Sequence, residues 1–167
     1  MENPTYLDKN TVLFVREYAV SRDRLWQAVS QQDELSIWFM ETNLELRIDG
    51  KYEFKDGWNG WIGDLREPEF IQFNSSHKSF TRFELKPGSN GTELRLIDRL
   101  PPDMTAPPDN HIQNQQPGGK GTHWVGLLAG WDDFLKALKS HLAGEKIEDN
   151  YETLCTQYSN LLQKKYA

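Results

Sequence analysis

Residues 122–142 read THWVGLLAGWDDFLKALKSHL. Trp124, Leu127, Leu128, Trp131, Phe134, Leu135, Leu138 and Leu142 recur at i, i+3, i+4, i+7 almost throughout, the pattern of a helix with one apolar face. The spacing predicts a helix over Thr122–His141. Lys136, Lys139 and His141 gather near its end, where positive charge suits the helix dipole, and Gly144 is a natural stop. An apolar stripe of this length has to be covered by something, and what covers it decides the fold.

Downstream, the segment Ile147 to Tyr166 repeats the pattern through Ile147, Tyr151, Leu154, Cys155, Tyr158, Leu161 and Leu162. This second stripe either packs back on the domain or forms an interface, a homodimer through the terminal helix included. The chain therefore divides into 1–146, a folded domain, and 147–167, a C-terminal helical extension. Upstream, from Pro101 to Gly121, the composition changes sharply. Four prolines occur by Pro108, then Gln and Asn residues, then Pro117-Gly118-Gly119. A structureless run of about 20 residues inside one domain is unusual and often functional. It reads equally as a lid and as an insertion.

Before that run come short strands separated by turn signals. Thr11 to Val20 alternates, with Val12, Phe14, Arg16, Tyr18 and Val20 on one face. Ser21 is placed to cap a short helix through Ser30, with Leu25, Trp26 and Val29 as its apolar side. A second short helix starts near Asp33 and ends around Leu35, Ile37, Trp38 and Phe39. Leu44, Leu46 and Ile48 alternate up to an Asp49-Gly50 hairpin turn, and Tyr52 and Phe54 return. Asp56-Gly57 and Asn59-Gly60 then bracket Trp58. Further strands run from Trp61 to Leu65, Phe70 to Phe73, Phe80 to Leu85 and Thr92 to Leu100, the last two joined through Pro87-Gly88 and Asn90-Gly91. Hairpins in sequence order argue for an antiparallel meander rather than parallel crossover units. The expected class is α+β: a curved antiparallel sheet of about six to seven strands wrapped around the long helix.

Several local patterns resemble the activator of heat-shock-chaperone ATPase homologue-like family, within the START/polyketide-cyclase-like helix-grip superfamily. Phe14-Val15-Arg16-Glu17-Tyr18-Ala19-Val20 followed by Leu25-Trp26-Gln27-Ala28 is similar to that family's opening strand and helix. Leu35-Ser36-Ile37-Trp38-Phe39 resembles its aromatic pair closing the second helix, and Asp49-Gly50-Lys51-Tyr52-Glu53-Phe54 its hairpin. Asn90-Gly91-Thr92-Glu93-Leu94-Arg95-Leu96 resembles its Gly-Thr strand, and Gly130-Trp131 with Leu135 and Leu138 the signature of its last helix. The resemblance spans Val12 to Leu142. Departures are Val20-Ser21 in place of Ala-Pro, Asp49-Gly50 in place of two glycines, a missing Pro in the middle helix and a long loop before the last helix.

The resemblance implies a helix-grip fold with an apolar cavity between sheet and long helix, bordered by Trp38, Phe39, Tyr52, Phe54, Phe73, Phe83, Trp124 and Trp131. Leu127 belongs to the same helix stripe. Strand alternation places Arg16 beside Phe14 and Tyr18; if those rings face inward, a buried guanidinium needs an acceptor. A ligand carboxylate, Asp98 or Glu53 would each serve. His123, at the mouth of the long helix, is the one histidine placed to overlook a cavity, and a His at a helix start is usually structural or exposed. Three functions follow from the resemblance: a noncatalytic binder of a small hydrophobic or amphipathic molecule, a co-chaperone that binds a chaperone and stimulates its ATPase, and a cyclase- or aromatase-like enzyme. The binder is the leading reading.

Composition narrows the partners. The 167 residues carry a formal charge of −6, with 25 acidic against 19 basic side chains. Without a basic stripe, neither nucleic acid nor a membrane surface is an expected partner. Six Trp residues among 12% aromatics supply the large rings of a core or a cavity wall. Metal spacing, a phosphate-binding loop and a nucleophile elbow are all missing, so no cofactor is expected. The lone Cys155 cannot form an internal disulfide, and the first residues do not read as a signal peptide; both fit a cytoplasmic protein.

Overall fold

A computed structural model describes residues 2–55, 58–103 and 124–166. In chain order its elements are β1 (Thr5–Asp8), β2 (Thr11–Tyr18), α1 (Arg22–Ser30), α2 (Gln32–Trp38), β3 (Thr42–Leu44), β4 (Lys51–Phe54), β5 (Asn59–Arg66), β6 (Phe70–Asn74), β7 (Phe80–Pro87), β8 (Thr92–Arg99), α3 (Trp124–Ala143) and α4 (Tyr151–Tyr166). The strands form one sheet in the order β1-β2-β8-β7-β6-β5-β4-β3, each neighbouring pair antiparallel. The architecture is the helix-grip fold.

Eight strands exceed the expected six to seven because β1 pairs with β2 at the sheet edge. Only Tyr6 of β1 packs against the core, so four residues gave no alternation to read. The third strand is also shorter than its apolar pattern suggests. It stops at Leu44; Leu46 and Ile48 are 42% and 48% exposed in the turn that follows. The turn itself is where Asp49-Gly50 puts it. Asp49 is left-handed (φ 61°), and a Cβ on Gly50 would collide with the Glu45 carbonyl oxygen.

Helix α1 is capped as expected, the Ser21 hydroxyl accepting from the Arg24 amide at 3.1 Å. Helix α3 ends at a left-handed Gly144 (φ 69°). The Gly144 amide donates to the His141 carbonyl and the Glu145 amide to that of Ser140, a Schellman termination. The buried face of α3 is wider than its apolar stripe, taking in Val125, Ala129, Asp132 and Ala137 as well as Leu128 and Leu135. Leu127, Phe134 and Leu142 are only half-buried. Helix α4 packs against α3, its Tyr158 hydroxyl reaching Asp132. Leu154, Cys155, Tyr158 and Leu162 of α4 are buried, so its apolar stripe is already covered within the chain. Asp133 of α3 accepts the Asn150 amide at 2.9 Å and ties down the start of α4.

An aromatic pocket as the candidate functional site

Alternation along the strands sends Tyr52 and Phe54 of β4, Phe73 of β6 and Phe83 of β7 to the sheet face that looks at α3. Trp131 of α3 meets them from the other side, and Phe39, which caps the end of α2, closes between. The Phe39 and Trp131 rings stack at 5.5 Å and 5°. Phe39 stands edge-on to Phe54 at 4.9 Å, and Tyr52 edge-on to Phe73 at 5.2 Å. Each such pair adds about 0.5–1.5 kcal/mol beyond burial. The rings fill most of the space expected to be a cavity. What remains is about 10 Å³, close to the room one water needs.

The polar feature of this pocket is Asp98. Residues Leu94, Leu96 and Asp98 share the inner face of β8 and are at most 1% exposed. The Trp131 indole N–H donates to Asp98 Oδ2 at 2.7 Å, and the Thr81 hydroxyl to Oδ1 at 2.9 Å. Among the described residues no Lys, Arg or His forms an ion pair with it. Burial outweighs both hydrogen bonds and pushes its carboxyl from 3.8 up to about 6. Arg99 borders the same pocket but is exposed, and after the Asn10 amide it helps hold the Asp8 carboxyl below its usual range.

Of the side chains expected around the site, Phe39, Tyr52, Phe54, Phe73, Phe83 and Trp131 line the pocket. Trp38, Trp124, Arg16, Tyr18 and Leu127 do not. Trp38 is buried behind the wall, donating its indole N–H to the Ala28 carbonyl at 2.8 Å. Trp124 lies edge-on against Tyr6 of β1. Tyr18 donates to the Leu135 carbonyl at 3.0 Å, and burial raises its hydroxyl pKa well above normal. Arg16 finds neither Asp98 nor Glu53; its partner in the register is Leu94, four residues along β8 from Asp98. It pairs with Asp132 on α3 at 3.4 Å and with Glu2 at 3.2 Å and also donates to the Val15 carbonyl at 2.9 Å. Tyr158 of α4 completes that cluster, donating to Asp132 Oδ2 at 3.0 Å. His123 lies outside the described residues, as does the part of the expected lid from 104 to 121.

Residues 19–143 match the family described as Activator of Hsp90 ATPase homolog 1-like protein. The chain belongs to this family. Similar solved structures include the conserved protein of unknown function EF2215 from Enterococcus faecalis, at 21% identity and TM-score 0.67 over 98% of this chain and 92% of that one. CalU16 from Micromonospora echinospora aligns at 18% identity and TM-score 0.66 over 92% and 86%. NE0264 from Nitrosomonas europaea aligns at 16% identity and TM-score 0.60 over 81% and 95%. No curated protein sequence matches the chain. Membership in the Activator of Hsp90 ATPase homolog 1-like family points to a ligand-binding or activator domain and identifies no ligand. The family match ends at Ala143, so α4, with its Tyr158 link to Asp132, lies outside it. Among the described residues no helix is long and apolar enough to cross a membrane, and no group of His, Cys, Asp and Glu gathers to hold a metal.

Sequence reasoning overlooked Thr81, Trp58, Ser75, Phe80 and Arg99 at the pocket and named Asp98 only as an acceptor for Arg16. The signal for Asp98 was available. The inward alternation of Leu94 and Leu96 carries it to the same face, two residues further on.

Proposed function

We propose that the domain is a noncatalytic receptor for a small, flat hydrophobic molecule, seated between α3 and the sheet. The observation that carries this is the convergence of eight aromatic side chains, from the sheet, the cap of α2 and α3, on one pocket containing a single buried carboxylate. Apolar walls give affinity, and a few placed polar groups orient the guest. A space of about 10 Å³ admits no such molecule without motion, so a ring has to yield. Phe39 is the candidate: it is half-buried, it follows the last residue of α2, and its backbone (φ −103°, ψ −92°) lies outside the helix. Binding replaces the Phe39–Trp131 stack by a guest–Trp131 stack.

The test is titration of the full chain with 2-naphthol, following tryptophan emission and the thermal unfolding midpoint. A saturable rise in the midpoint together with a change in emission is expected. Phe39→Ala, which removes the ring that occupies the place, should tighten binding. An unmoved midpoint in both proteins, across one- to three-ring aromatics, would refute the proposal.

A further inference from the structure

We propose that the guest of this pocket is a nitrogen base, an aromatic molecule carrying a protonated amine or amidine that bonds to Asp98. The inference rests on the pocket being a receptor site and adds the chemical class it selects. Four observations carry it. Asp98 borders the pocket while being 1% exposed. Its two contacts, Thr81 and Trp131, are neutral donors, one to each oxygen. A carboxylate offers about four acceptor positions, so each oxygen keeps one to spare. The surrounding walls are ring faces and edges of Trp131, Phe39, Phe83 and Phe73, and the negative face of an aromatic ring attracts a cation.

These features favour positive charge over the alternatives. An isolated buried carboxylate is costly, and a cation that reaches it relieves that cost. A neutral guest would leave the cost in place, and an anionic one would add like-charge repulsion. Arg99 borders the pocket but is exposed, forms no ion pair with Asp98, and makes no contribution to the state of its carboxyl. A guest amine can therefore donate to the free lone pairs of Asp98 while its ring takes the place of Phe39 against Trp131.

Three isosteric probes test this on the full chain by calorimetry: 1-naphthylmethylamine, 1-naphthylmethanol and 1-naphthoate. The amine should bind at least tenfold more tightly than the alcohol, and the carboxylate more weakly than either. In Asp98→Asn the side-chain oxygen still accepts from Trp131 and the amide donates to Thr81. The variant should lose the amine's advantage over the alcohol. If the alcohol binds wild type as tightly as the amine, or the amine's advantage survives in Asp98→Asn, the nitrogen-base assignment falls and the receptor proposal stands. If none of the three binds wild type, both fall. The comparison among probes in wild type decides even if the variant fails to fold.

Discussion

A carboxyl enclosed by Trp131 and Thr81 holds its proton more firmly when the chain is folded than when it is unfolded. For Asp98 the folded value of about 6 lies above the ordinary 3.8. The folded state thus binds more protons between those values, and stability falls as pH rises through that window. Below it both states are protonated and the penalty vanishes; above it the penalty is complete, of the order of 3 kcal/mol. Urea denaturation of wild type and Asp98→Asn at intervals from pH 3.5 to 7 should therefore show a difference between the two that grows with pH between about 4 and 6 and then levels off. The groups facing Asp98 are neutral, so the difference belongs to this residue. Asp132 is the opposite case, a buried carboxylate with a cation. Arg16→Met removes its main partner and leaves Lys136, at 4.0 Å and 45% exposed, as the remaining cation. A loss of about 3 kcal/mol in unfolding free energy is expected, the usual effect of stripping one side from a buried pair. Both residues show where sequence reading ends. Alternation places Asp98 and Arg16 on the inner face, but whether a buried charge meets a partner depends on which residues of α3 cross that strand, and no local pattern encodes that.

At the scale of elements, α3 was legible because its stripe is long and periodic, and α1 because Ser21 and the apolar positions agree. The weak readings have physical causes. Leu46 and Ile48 alternate like strand residues, yet the strand ends at Leu44, four residues short of the apolar pattern, and the chain turns through the left-handed Asp49 and the tight approach at Gly50. The edge strand β1 makes one core contact and left nothing for periodicity to detect. The aromatic walls were legible through alternation and the family resemblance together. The closeness of the rings, and so the small cavity, depends on rotamers that sequence does not state. Gly130, part of the Gly-Trp pattern that marks α3, has no packing reason among the described residues: a Cβ there meets nothing within 4 Å. Glycine inside a helix costs about 0.5–1 kcal/mol relative to alanine. Gly130→Ala should accordingly raise the unfolding free energy by that amount, measured by chemical denaturation. A loss of stability instead would mean that this position meets a group beyond the described residues.

For the whole molecule the question is whether α4 is an appendage or part of the folding unit. Burial of Leu154, Tyr158 and Leu162, at about 1.5–3 kcal/mol each, amounts to a large share of the roughly 5–15 kcal/mol that holds a domain of ordinary stability together. Removing α4 also takes away the Tyr158 hydroxyl from Asp132 and uncovers one side of α3. A chain ending at Lys146 should unfold at much lower urea and bind ANS in buffer; retention of wild-type stability would make α4 dispensable. The wider consequence concerns neighbours in sequence. Trp131 and Asp132 leave α3 about 100° apart, one to the pocket and the other to the Arg16–Tyr158 clamp. The helix is therefore anchored at the very turn that borders the pocket. Under the receptor proposal that wall stays in place, and Phe39 at the end of α2 is the gate that yields to a guest. Speed and strength of capture then answer to different residues. Association should be paced by the rotation of Phe39, well below the diffusion limit, while residence time is set by what the guest finds at Trp131 and Asp98.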